Sequence, residues 1–87
     1  MQEKREPTTS FLKPSTHDLY LKHALTPSLV DREAGVGTGT TYNMIQWIPV
    51  KKDDAEKVLA LLSKKYQQNY TLDTVQVKLL NEGANEL

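Results

Sequence analysis

Thr40-Thr41-Tyr42-Asn43-Met44-Ile45-Gln46-Trp47-Ile48-Pro49-Val50 decides the fold, because β-branched and aromatic residues fill most of its positions. Residues of that kind suit a pleated, half-buried surface, so the run predicts a strand. On a strand, Ile45 and Trp47 share one face and Tyr42, Met44, Gln46 and Ile48 the other. Both faces are partly apolar, which makes this a central strand with Trp47 in the core.

Downstream, Ala55, Val58, Leu59, Leu62 and Tyr66 recur at helical spacing and predict an amphipathic helix from Asp53 to about Asn69. Asp53 and Glu56 have the spacing of a capping box, and Asp54, Lys64 and Lys65 complement the helix dipole. Thr74 to Leu80 then reads as a second strand, with Val75, Val77 and Leu79 on the face that packs on the helix. The unit is β-α-β.

Upstream, Ser15 or Thr16 can cap a short helix with Asp18 in its first turn and Leu19, Tyr20, Leu21, Ala24 and Leu25 as apolar positions. It stops at Thr26-Pro27. Residues 9 to 13 and 28 to 33 are candidate strands that would complete a sheet. The expected class is therefore α+β, a small two-layer sandwich of ferredoxin-like β-α-β-β-α-β order. The alternative is an α-β-α-β unit whose sheet is completed by dimerisation. Residues 1–10 read as a flexible tail, 11–80 as one domain and 81–87 as a frayed end.

A chain of 87 residues buries only about 60 to 65% of the surface its unfolded form exposes, so its core is small. The absence of cysteine excludes a disulfide framework, a thiolate nucleophile and cysteine-based metal sites. No apolar run approaches the ~20 residues that cross a bilayer, and a cytoplasmic protein without membrane contact is expected. Lysines and arginines balance aspartates and glutamates, giving a formal net charge of zero. A duplex-DNA binder usually shows a basic excess, so that balance argues against one.

Gly35-Val36-Gly37-Thr38-Gly39-Thr40 resembles a phosphate-binding loop only superficially. It has no lysine, and in this reading it opens a strand rather than a helix. A hairpin tip or a partner-ordered loop accounts for it better. His17 and His23, six residues apart, point from different helix faces and suggest no metal site. Neither stands in a nucleophile motif, and Asp53, Asp54 and Glu56 are accounted for as helix caps. No catalytic residue, metal or cofactor is expected, and the chain is not read as an enzyme.

The expected function is that of a non-enzymatic interaction or regulatory protein. It would bind a protein partner, or itself as a homodimer, through an exposed sheet face or edge. Tyr42, Met44, Gln46 and Ile48 would form that face, with Gly35, Gly37 and Gly39 as an adaptable rim. The alternative is RNA or single-stranded DNA binding through Lys51, Lys52, Lys57, Lys64, Lys65 and Tyr42. A weaker third option is a small-molecule regulatory domain.

Overall fold

The first half of the stretch whose propensities favour a central strand, Thr40–Ile45, is a helix. A computed structural model describes residues 13–80. It contains α1 (Thr16–His23), α2 (Pro27–Ala34), α3 (Thr40–Ile45) and α4 (Lys52–Tyr66). Among the described residues the only β pairings are two isolated parallel bridges, Ser15 to Gln76 and Val50 to Leu79. The ferredoxin-like sandwich is thus overturned, and with it the α-β-α-β alternative and the α+β class. The molecule is helix-dominated. Residues 28 to 33, a candidate strand by sequence, lie within α2. Residues 9 to 12 of the other candidate strand, and the expectations for 1–10 and 81–87, fall outside the described residues.

α1, α2 and α4 each have a local cause. Ser15 caps α1 through a complete capping box: its side chain accepts from the Asp18 N–H, and the Asp18 carboxylate accepts from the Ser15 N–H. In α2 Pro27 stands at the first turn and Gly35 just past the end, the asymmetry helices favour. In α4 the stripe Ala55, Val58, Leu59 and Leu62 is buried as the spacing predicts. Its capping box does not form, because the helix begins at Lys52 and Lys51 holds the cap position without a side-chain bond. Asp53 and Asp54 contribute as negative charge in the first turn instead.

α3 has the weakest intrinsic case for being helical, and tertiary packing supplies what propensity does not. Thr40, Thr41, Met44 and Ile45 are buried, a stripe of helical period, and α3 packs against all three other helices. Met44 belongs to the core with Leu19, Val30, Val58, Leu59 and Leu62.

After α4, Thr71 to Val75 form a turn in which Thr71 O accepts the N–H groups of Thr74 and Val75. The chain then runs extended along the bundle. Gln76 N–H donates to Pro14 O at 2.8 Å, Val50 N–H to Lys78 O at 3.1 Å and Leu80 N–H to Val50 O at 2.8 Å. Val75 is buried, and Val77 and Leu79 pack on the core, so the inward set is the one the alternation predicts. Trp47 is not in the core: its ring is 48% exposed, and its backbone is left-handed with φ of 64°.

Candidate nucleic-acid interface

The glycine segment does not feed a strand. It connects α2 to α3, and Asp31 closes the connection from both sides. The main-chain oxygen of Asp31 accepts Gly35 N–H at 3.0 Å and Val36 N–H at 3.1 Å, which ends α2 with Gly35 at φ of 75°. Its carboxylate reaches across the turn and accepts Gly39 N–H at 2.7 Å and Thr41 N–H at 2.8 Å. Gly39, at φ of 99°, has no side chain with which to cap α3, and Asp31 supplies that acceptor from the neighbouring helix. Asp31 is only 3% exposed, so these charge-assisted bonds form away from water.

With one side of α3 turned inward, the outward side is a continuous stripe. Thr38, Tyr42, Gln46 and Trp47 are exposed, and Gly39 and Asn43 are half-buried along the same line. Tyr42 is 53% exposed. Among the described residues no hydrogen bond engages the side chains of Thr38, Tyr42, Asn43 or Gln46. The stripe ends at a Schellman turn: Trp47 N–H donates to Met44 O at 3.3 Å and Ile48 N–H to Asn43 O at 2.8 Å. Trp47 occupies the left-handed position of that turn, where glycine is the common residue.

The remaining site residues are distributed unevenly. Of the expected sheet face, Met44 is 1% exposed and faces inward, while Tyr42, Gln46 and Ile48 are at the surface. Gly35, Gly37 and Gly39 all lie in the α2–α3 turn. Lys51 and Lys52 follow closely on the stripe in the chain, and both are exposed. Lys64 and Lys65 are at the opposite end of α4, about 20 Å away at 1.5 Å per residue, with Lys57 between. Lys65 meets Glu33 of α2 at 3.2 Å. The five lysines therefore do not make one patch.

Asp31, Thr38 and Asn43 were not marked by sequence reasoning. The signal available for them was Pro27 and Gly35 bracketing a helix, followed by Met44-Ile45 four residues after Thr40-Thr41.

Two other places bear on chemistry. An open cleft of about 870 Å³ lies between α4 and residues 68–73, lined among others by Lys52, Glu56, Ser63, Lys64, Tyr70 and Asp73. Its charges are mixed and it holds no nucleophile with a base beside it. At the end of α1, His23 stacks on Tyr66 with ring centroids 3.8 Å apart, and its Nε2 lies 2.9 Å from Tyr70 Oη. Burial, and then the Lys22 charge, lower the His23 pKa, while burial and Tyr66 raise that of Tyr70. Among the described residues no three His, Cys, Asp or Glu side chains converge as a metal site would require. No helix among them is long and apolar enough to cross a membrane.

No known protein family matches the chain, and neither a curated protein nor a solved structure resembles it.

Proposed function

We propose that the protein binds double-stranded DNA, with α2, the turn 35–39 and α3 acting as a helix-turn-helix and α3 as the helix that enters the major groove. The observation that carries this is the stripe of unpaired polar and aromatic side chains on a short helix locked to its predecessor. Two packed helices joined by a short glycine-containing turn are the form that such a reader takes. A helix of six residues is about 9 Å long, and the major groove is about 12 Å wide.

A net charge of zero is compatible with this function because the acids lie elsewhere. From Ala34 to Lys52 the sequence holds no aspartate or glutamate, and its charges are Lys51 and Lys52. Asp31 is consumed by the turn, Asp18 by the α1 cap and Glu33 by Lys65. The stripe itself thus carries no acid, although Asp53 and Asp54 follow directly on Lys51 and Lys52 in the first turn of α4. With few phosphate contacts, affinity should be modest. Among the described residues there is no sheet face for a protein partner, so the exposed part of that residue set is absorbed here. A DNA reader would work in a DNA-containing compartment such as a cytoplasm.

Titration of a short mixed-sequence duplex at 20 to 200 mM salt tests the proposal. We expect binding that weakens with salt, and a Lys51→Ala/Lys52→Ala variant whose slope of log K against log salt is shallower by about 2. Absence of duplex binding at the lowest salt rejects it. A second reading, stacking of single-stranded bases on Tyr42 and Trp47, is favoured by the exposure of those two rings. Single strands outcompeting duplex of equal length would select it.

A further inference from the structure

The reading stripe indicates which base pairs it takes. Resting on the duplex-DNA function above, we infer that α3 reads A·T base pairs in the major groove, with Asn43 and Gln46 pairing to adenine and Thr38 and Tyr42 packing on thymine methyl groups.

The inference starts from what the stripe lacks. Guanine is most often read by arginine or lysine donating to O6 and N7, and the cytosine amino group by a carboxylate. Between Thr38 and Trp47 there is no arginine, lysine, aspartate or glutamate. Besides the Thr38 and Tyr42 hydroxyls, the polar groups present are two carboxamides, Asn43 and Gln46, three positions apart, neither engaged by another described residue. A carboxamide carries one acceptor and a two-proton donor, which match the amino group and N7 of adenine as a pair. Thr38 and Tyr42, on the same line, offer a methyl and a ring to thymine C5-methyl. The paired donor and acceptor of a carboxamide match adenine in that groove, whereas the arginine or lysine fork that best matches guanine and the carboxylate that accepts from cytosine are both absent from the stripe.

Gly37 gives the inference a handle for testing. Unlike Gly35 and Gly39 it is not left-handed, and a Cβ there would meet only Thr40 Oγ1 at 4.0 Å, so alanine fits the fold and would reach only what lies against the turn from outside, next to Thr38.

The test selects duplexes from a random library with the full chain at low salt, then measures affinity for equal-length A·T-rich and G·C-rich duplexes. We expect A·T-rich sites to be enriched. Replacing adenine by 7-deaza-adenine, which removes N7, should weaken binding roughly tenfold. Asn43→Ala and Gln46→Ala should each erode the preference by about five- to a hundredfold while melting at the wild-type temperature. Gly37→Ala should fold normally and bind less tightly. Duplex binding with no base preference, or with a G·C preference, overturns this inference and leaves the DNA-binding function standing. So does A·T binding indifferent to 7-deaza-adenine, which would place the readout in the minor groove. No duplex binding at all overturns both.

Discussion

Among the described residues each of the four helices is closed by a left-handed residue, at its cap or, for α3, one position beyond it, and only one of those residues is glycine. Ala24, Trp47 and Gln67 have φ of 54°, 64° and 55°, beside Gly35 at 75°. An L side chain in this region costs about 1 to 2 kcal/mol, because Cβ crowds the following carbonyl. At Gln67, exposed beyond α4, nothing but the turn benefits: its N–H and that of Gln68 both donate to Ser63 O. Gln67→Gly should therefore stabilise the protein by about 1 kcal/mol in chemical denaturation, and a loss of that size would show that the glutamine is held for packing. Trp47 differs because strain in a bulky residue at a surface stripe is the kind retained at working sites. Trp47→Gly should relieve similar strain and keep or raise the midpoint, while duplex affinity falls severalfold. A variant that gains stability and binds DNA as before removes the ring from the interface.

At the scale of elements, α3 depends on Asp31. Six residues cannot sustain a helix alone, and although Thr40 N–H donates to Gly37 O at 3.2 Å, the Gly39 and Thr41 N–H groups at the start of α3 both find their acceptor in a side chain from α2. Asparagine keeps one acceptor at that position and turns an amide donor toward the other N–H. Asp31→Asn should cost about 2 to 4 kcal/mol and loosen α3 before the rest unfolds. Hydrogen exchange checks this: protection should fall first at Gly39 and Thr41, and unchanged protection there would mean the clamp is dispensable. The same dependence accounts for how much of the fold was legible in the chain. α4 and α1 announce themselves through a periodic stripe and a capping box, signals that are local and complete. α3 does not, since Thr-Thr-Tyr-Asn-Met-Ile has strand-like composition and the group that makes it helical stands ten residues before Thr41. Pro27 and Gly35 did mark α2, but the extended look of Ser28-Leu29-Val30 outweighed them. Tyr42 and Gln46 were legible as exposed. Asn43 was not, because alternation places it on a different face from the one a helix gives it.

Across the described molecule, polar contacts add to the apolar packing that holds the segment after α4 against α1. The segment after α4 is tied to the start of α1 through Gln76, whose Nε2 donates to Lys13 O at 2.6 Å, and to the end of α1 through His23 and Tyr70. This second tie depends on protonation. The neutral imidazole stacks on Tyr66 and meets the Tyr70 hydroxyl, whereas burial and the adjacent Lys22 oppose the charged form and lower the His23 pKa. In the unfolded chain the same group titrates near its ordinary value, about 6.5. Above that pH both states are neutral and the tie is intact. As pH falls through it, the unfolded chain takes up the proton first, so stability declines until the pH passes below the lowered folded value. Wild type should therefore lose stability between pH 7.5 and 5, before most carboxylates titrate. His23→Gln, which has no proton to gain, should be less stable at pH 7.5 and nearly flat over that interval. Urea melts of both proteins at half-unit pH steps decide the matter: parallel curves would show that His23 carries no part of the acid sensitivity. Divergence confined to the window below about 6.5 would assign it to the contact that joins α1 to the chain beyond α4.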